Sequence, residues 1–457
     1  MSGWKNIGIS GKWLMNRCKL YMAFIIAFIL IGGIMYIFRP GLSENDIVIY
    51  TGYTKTIKLM GIKYGEMWIS DDENVATVDD GVITGVSEGD TVISALMNGK
   101  RYSCNVRVKK SLSPECLENM EREKRWILGQ QLENGAFCNR RDKNIWLDID
   151  PYFASVSADF LIKCAGENDG AVFEAVKKYI NWHFAHLNRD KDYNGVAGTI
   201  YDYAAFVTGN DVTEKSRYTY DSADSYAAVF LSLLWDYYKS TGDADMIHDH
   251  KEDIDMIVNV IFSMQNGTYT VAKPDYPIIY LMDNVEVYAG ICAAQNIYGT
   301  VLDNKNILDR VMKMKNTYET DFKSDWWRED HYQVSGGNDR YDNTMFYPDV
   351  TAQIFPIIYG IAGEEERHKV YEELCKRHNW GELDYYTSGE TKFYWGQIFY
   401  CGTVMEDMDR AWKYMTSYNE YCKERKYPLY ICDAAWVMRG CRQMYLYYKN
   451  IEMSYSD

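Results

Sequence analysis

The chain is poor in the features that mark zinc, disulfide and nucleic-acid proteins. Its seven histidines form no zinc pattern: His183 and His186 stand three apart beside Trp182, without a Glu-x-x-His arrangement around them, and read as core or surface side chains. Among eleven cysteines there is no Cys-x-x-Cys. Cys164, Cys292, Cys375, Cys401 and Cys441 fall inside helical patterns, where buried free thiols are the ordinary expectation, and Cys422 with Cys432 is the one pairing that a long connector would bring together. Excess positive charge is missing too. A formal charge of −16 weighs against nucleic acid and against a purely electrostatic hold on anionic lipid. It also weighs against a strongly anionic polysaccharide, although Arg140, Arg141, Arg217, Arg328 and Arg340 sit in long loops and leave local recognition of a uronate open.

One apolar run stands out. Tyr21–Phe38 is uncharged and close to the roughly 20 residues that a membrane-spanning helix needs. Lys5, Lys12, Arg17 and Lys19 precede it, only Arg39 lies directly behind it, and no small-x-small cleavage site follows before Pro40. The pattern predicts a cytoplasmic tail over 1–20, a single-pass signal anchor over 21–38 in the cell membrane, and the remainder outside.

Residues 44–110 have a different texture, with β-alternation and turn signals in DIVIY, TKTIKLMG and the long stretch from Glu66 to Val108. Trp68-Ile69-Ser70, Asn74–Asp79, Gly81–Val86 and Gly89–Ile93 resemble the core pattern of bacterial immunoglobulin-like group 2 domains. The resemblance implies a small all-β sandwich acting as a spacer or binding module.

From Ser113 to the C-terminus the pattern is helical, and it is periodic. Twelve amphipathic segments are joined by connectors that are alternately short (Gly166–Asn168, Thr241–Gly242, Leu302, Ala362–Gly363, Met405–Glu406) and long (Gln131–Ile149, Asn188–Tyr220, Asn266–Met282, Lys323–Pro348, Trp380–Glu390, Glu424–Ile431). Every long connector leads into an even-numbered helix, so the functional loops gather at one end. There the even helices open with acids: Asp150, Asp221 and Asp224, Asp283, Asp349 and Asp433. Capping of helix N-termini accounts for an acid at each position. It does not account for the aromatic residues in the preceding loops, and a cleft lined by carboxylates and flat rings suits a sugar chain.

The stretches Arg125–Phe137, Asp150–Ile162, Tyr179–Tyr203, Tyr220–Asp243 and Tyr347–Ile361 resemble the six-hairpin glycosidase superfamily. The resemblance covers 113–457 and implies a large all-α (α/α)6 toroid with a carbohydrate site at one end. The whole chain then reads as multidomain: anchor, sandwich, toroid. Glycosidic cleavage usually employs two carboxyl groups. Asp221 and Asp224, three apart and expected on one face of a helix start, lead as catalytic candidates, with Asp150 and Asp283 next. Substrate-binding candidates are Trp146, Tyr152, Tyr201, Tyr220, Tyr280, Trp327, Tyr347, Asp349 and Trp395.

Asp190-x-Asp192-x-Asn194-Gly195 reproduces the first half of a calcium loop, but Tyr201 occupies the twelfth position, where a bidentate Glu is needed; a plain Asp/Asn/Gly turn is the simpler reading, and no other cofactor is implied. Function is thus expected to be glycoside hydrolysis. A non-catalytic glycan binder and a polysaccharide lyase, the latter with Tyr201 and Arg217 as its nearest base and neutraliser, remain alternatives.

The anchor reading has a direct consequence. Protease added to intact cells is expected to remove everything beyond Phe38; survival of that part in intact cells with digestion after lysis would reverse the orientation.

Overall fold

The computed structural model describes Met22 and residues 41–60, 66–141, 146–338, 340–382, 394–422 and 430–456. The expected tail and anchor, apart from Met22, lie outside the described residues, as do parts of the fifth and sixth long connectors. Among the described residues no helix is long and apolar enough to cross a membrane. The chain divides into two compact units, one of residues 1–113 with 446–457 and one of 114–445, so that the end of the last helix groups with the β region.

Among its described residues the first unit holds nine strands: β1 Gly41–Leu42, β2 Asp46–Tyr50, β3 Thr54–Thr56, β4 Leu59–Met60, β5 Met67–Ser70, β6 Ala76–Asp79, β7 Val82–Gly85, β8 Gly89–Met97 and β9 Lys100–Lys109. One sheet has the order β2-β9-β8-β5, with β2 parallel to β9 and the other pairs antiparallel; another has the order β3-β7-β6. Alternation decides which side is buried. In β9, Cys104, Val106 and Val108 point inward while their neighbours face solvent, and they join Ile49, Ile57, Ala76, Ile83 and Ile93 in one apolar core.

The second unit is helical, with twelve arms among the described residues. These are α1 Ser113–Leu128, α2 Pro151–Cys164, α3 Gly170–Ala185, α4 Ala223–Thr241, α5 Ala244–Asp249 continued after a break at His250 by Lys251–Met264, α6 Leu281–Thr300, α7 Lys305–Trp326, α8 Thr351–Ile358, α9 Glu364–Arg377, α10 Gly396–Val404, α11 Met408–Cys422 and α12 Ile431–Ser454. The even helices form the inner ring. In α2 every residue from Ala154 to Ile162 is buried, whereas α9 carries Glu364, Glu365, Lys369, Glu372 and Lys376 and buries only a stripe of four residues. A helix buried all round must be apolar all round, and an outer one needs a single apolar face.

Ring closure is visible in the contacts between successive even helices. Tyr152 stacks on Tyr226 between α2 and α4, and Gly290 brings α6 against Ala228 of α4. Tyr359, at the end of α8, donates to Glu286 of α6, and Trp395 before α10 stacks on Tyr347 before α8. Gly440 of α12 receives the Phe399 ring of α10, and Trp436 of α12 packs edge-on against Phe160 of α2 at 4.6 Å. The long connectors carry short strands: β10 Leu147–Ile149, β11 Leu187–Asn188, β12 Thr199–Ile200, β13 Tyr203–Thr208, β14 Asp211–Ser216, β15 Gln265–Asn266 and β16 Tyr269–Thr270. The twelve-arm alternation expected from connector lengths is therefore what the chain adopts.

A close backbone approach in this ring is testable. A methyl group added at Gly290 would lie 2.5 Å from the Ala228 Cα, which forces α4 and α6 apart. Gly290→Ala is expected to cost about 1–3 kcal/mol of stability, read from the denaturant midpoint. An unchanged midpoint would mean that the two helices separate freely.

Candidate functional site

The N-termini of all six even helices converge on one cavity of about 340 Å³. Its wall comprises Asp150, Tyr152 and Phe153 at the start of α2, Asp221, Ser222, Ser225 and Tyr226 at that of α4, Met282, Asp283 and Glu286 at that of α6, Tyr347, Thr351 and Phe355 before and within α8, Trp395 and Gln397 at the start of α10, and Tyr430, Cys432 and Asp433 at that of α12. Five carboxyl groups thus face one space.

They are held differently. Asp150 is a true N-cap: its Oδ1 accepts from the backbone N–H groups of Tyr152 (3.0 Å) and Phe153 (3.2 Å). Asp433 accepts from the Tyr430 N–H at 3.0 Å. Glu286, one turn inside α6 and 2% exposed, accepts from Tyr152 Oη at 2.5 Å and Tyr359 Oη at 3.3 Å. Asp221 and Asp283 serve no such cap. Asp221 is exposed and precedes the helix; Asp283 lies in the first turn of α6 and bonds only its own backbone N–H.

Burial and mutual repulsion raise most of these groups. Desolvation, with the Asp221 charge adding to it, pushes Asp283 up to about 7. Glu286 reaches about 8, chiefly through burial, which the Tyr152 hydrogen bond opposes and the Asp283 charge reinforces. Burial takes Asp433 to about 7, and Asp150 to about 6 against its cap hydrogen bonds. Asp202, behind the wall, is raised to about 7 by burial and then by Asp150; Tyr226 Oη lies 3.0 Å from it and 3.3 Å from Asp150, bridging the two. The site therefore combines an exposed acid, Asp221, with buried neighbours raised well above the usual carboxyl range, an arrangement in which acid and base roles can separate.

The leading sequence pair is not a pair. Asp221 lies outside α4, where Ser222 is the N-cap with extended backbone (φ −139°, ψ 141°), so helical i,i+3 geometry does not relate it to Asp224. Asp224 is fully buried behind the wall, where Oδ2 accepts from Thr270 Oγ1 at 2.7 Å. Asp150, Asp221 and Asp283 do come together.

Of the nine binding candidates, Tyr152, Tyr347 and Trp395 line the cavity, the last two stacked at 5.3 Å. The others lie elsewhere. Tyr280 sits beside the site and bonds Tyr276 at 2.9 Å; Tyr220 is buried on Asp192; Tyr201 accepts from the Tyr193 N–H; Trp327 packs on Tyr332; Asp349 accepts from the Asp342 N–H; and Trp146 is half-exposed against Phe206. Arg217 is paired with Asp148, so the Tyr201/Arg217 group of a lyase is not assembled in the cavity wall.

Glu286 and Gln397 escaped the sequence reading. Glu286 stands three residues after Asp283, one turn further along the same face, which is the signal that could have found it.

The calcium candidate is an Asx turn. Asp192 Oδ1 accepts from the N–H groups of Asn194 (2.8 Å) and Val196 (2.9 Å), and Oδ2 accepts from Thr199 Oγ1 and Tyr220 Oη, both at 2.7 Å, while the Asn194 amide donates to Tyr220 and Asp275. Both Asp192 oxygens thus accept hydrogen bonds and the Asn194 amide donates within this turn, while Asp190 takes no part in these bonds. Cys432 is a free buried thiol, and the Cys422 side chain lies outside the described residues.

No known family description and no curated protein matches the chain. Solved structures do. A glycosidase with glucose bound and the wild-type form of a glycosidase match at TM-score 0.51, with 10% and 11% identity, over 76% of this chain and 98% of theirs. A mannosylglycerate hydrolase from Thermus thermophilus, also with glucose bound, matches at TM-score 0.46 and 7% identity over 70% of this chain and 99% of its own. At 10% and 11% identity the likeness to the two glycosidases is one of fold alone: the chain shares their helical fold.

The raised carboxyl groups set the pH dependence of stability. A carboxyl whose folded value lies above its unfolded value keeps its proton longer in the folded state, so its contribution is complete below about pH 4 and is lost as pH rises through the folded value. For Asp150, Asp283, Asp433 and Glu286 that window runs from about 4 to about 8. The melting temperature should fall by several degrees between pH 5 and 8.5. Glu286→Gln should flatten that fall, and an equal slope in the variant would place the effect elsewhere.

Proposed function

We propose that this chain is a glycoside hydrolase whose general acid is Asp283 and whose base or nucleophile is Asp221, acting outside the cell from a membrane tether, with the β region as an immunoglobulin-like spacer. The observation that carries the reading is the asymmetry of these two carboxyls. Neither caps a neighbouring residue's N–H among the described residues; burial raises Asp283 to about 7, so that a large share keeps its proton near neutrality, and Asp221 is open to solvent. A leaving glycosidic oxygen needs a proton, and the opposite side of the bond needs an anion or an activated water. Rings complete the site, since Tyr347 stacked on Trp395 offers a flat apolar surface to a sugar's C–H face. A binder would have its acids consumed in caps, as Asp150 and Asp433 are; Asp221 and Asp283 are not.

Acid catalysis here contributes on the order of 10²–10⁴-fold. Asp283→Asn and Asp221→Asn should each lower turnover of a responsive glycoside by about that factor without loss of folding. Asp224→Ala should instead destabilise the fold by roughly 1–3 kcal/mol through loss of the buried bonds from the Thr270 hydroxyl and the Ser225 N–H, with a far smaller effect on turnover. Full activity in both cavity variants would remove the catalytic reading. With the acid at about 7, kcat/KM should fall as pH rises above that value.

A further inference from the structure

The three-stranded sheet β10-β13-β14, built from two of the long connectors, has two unlike faces. Leu147, Ile149 and Ala205 are buried beneath it. The opposite face is open, and along it Asp148, Phe206, Thr213, Lys215 and Arg217 are all exposed. An open sheet face is ordinarily polar. This one carries two large rings, Trp146 at 48% exposure and Phe206 at 38%, in contact with centroids 5.8 Å apart. The register pairs Phe206 with Thr213 and sets Leu147 opposite Ala205, so Trp146, Phe206 and Thr213 form one row across the sheet. Beside it lies a second row, Asp148, Ala204 and Lys215, with Arg217 closing on Asp148.

We propose that this face is a second glycan-binding site, a platform for a polysaccharide chain outside the cavity. Two adjoining rings bordered by a carboxylate, a guanidinium, a hydroxyl and an ammonium group match what a sugar presents: apolar C–H faces and a surrounding belt of hydroxyls. A protein partner would call for a wider apolar centre than two rings amid charges. The platform is also continuous with the cavity. From Trp146 the chain runs through β10 directly into Asp150 of the cavity wall, about 13 Å for four extended residues. A polymer held on the platform therefore lies within reach of the cavity, and the effective concentration of its bonds there rises.

This inference rests on the glycoside hydrolase reading for its ligand class, and the test separates the two. The full chain in mild detergent is run on native gels containing an α-glucan, a β-glucan or a mannan, beside Trp146→Ala, Phe206→Ala and the double variant, each also assayed on short aryl glycosides. All the substituted side chains are exposed, so melting temperatures should match the parent. The expected result is retardation of the parent by at least one polymer, loss of most of that retardation in the double variant, and unchanged turnover of the short glycoside. Retardation equal in parent and double variant, or none with any polymer, overturns the platform. So does loss of short-substrate turnover in the double variant, which would merge the face with the cavity, and so does dimerisation of the parent that the double variant abolishes. Retardation that depends on the platform, without turnover of any glycoside, sustains the platform and sinks the hydrolase reading instead.

Discussion

Closing six inner helices into a ring forces their N-termini toward one point, and the rest of the site follows from that constraint. Each N-terminus presents unpaired N–H groups and a positive dipole end, which a carboxylate satisfies. Asp150 does this for α2. Acids at the helix starts around a ring are crowded into a space of about 340 Å³, where like charges meet. What stabilises each helix singly raises the pKa of its neighbours collectively. The cavity is acidic because the ring is closed.

Much of the fold is legible in the sequence. Alternating connector lengths and the Gly or acidic residues at the tight turns mark twelve arms because these signals are local: a helix ends where its periodicity ends. The site is less legible because it depends on where a side chain points. Asp221 and Asp224 look like one face of a helix only if both are inside it, and the helix begins between them. Glu286 looks like one more polar residue in an otherwise apolar helix; its depth becomes evident only when Tyr152 and Tyr359 arrive from two other helices. The loop tyrosines mislead for a related reason. Tyr201 and Tyr220 pack into their own connector, where Asp192 and a Tyr193 N–H take up their hydroxyls, so aromatic richness in a loop measures how the loop is held as much as what it binds.

The carboxyl groups divide by the use already made of their oxygens. Asp150 and Asp433 spend hydrogen-bonding capacity on helix starts, and Asp224 spends it on Thr270. Among the described residues Asp221 has no such bond, and Asp283 spends one on its own backbone N–H. Glu286 gives the division its electrostatic sense: pushed up to about 8, it is uncharged at neutrality beside Asp283 and brings no second negative charge into that side of the cavity. Were it ionised, its repulsion would hold the Asp283 proton too tightly for release to a leaving group. A buried carboxyl clamped by two tyrosine hydroxyls and raised above its neighbour thus spares Asp283 a second negative charge in the cavity wall.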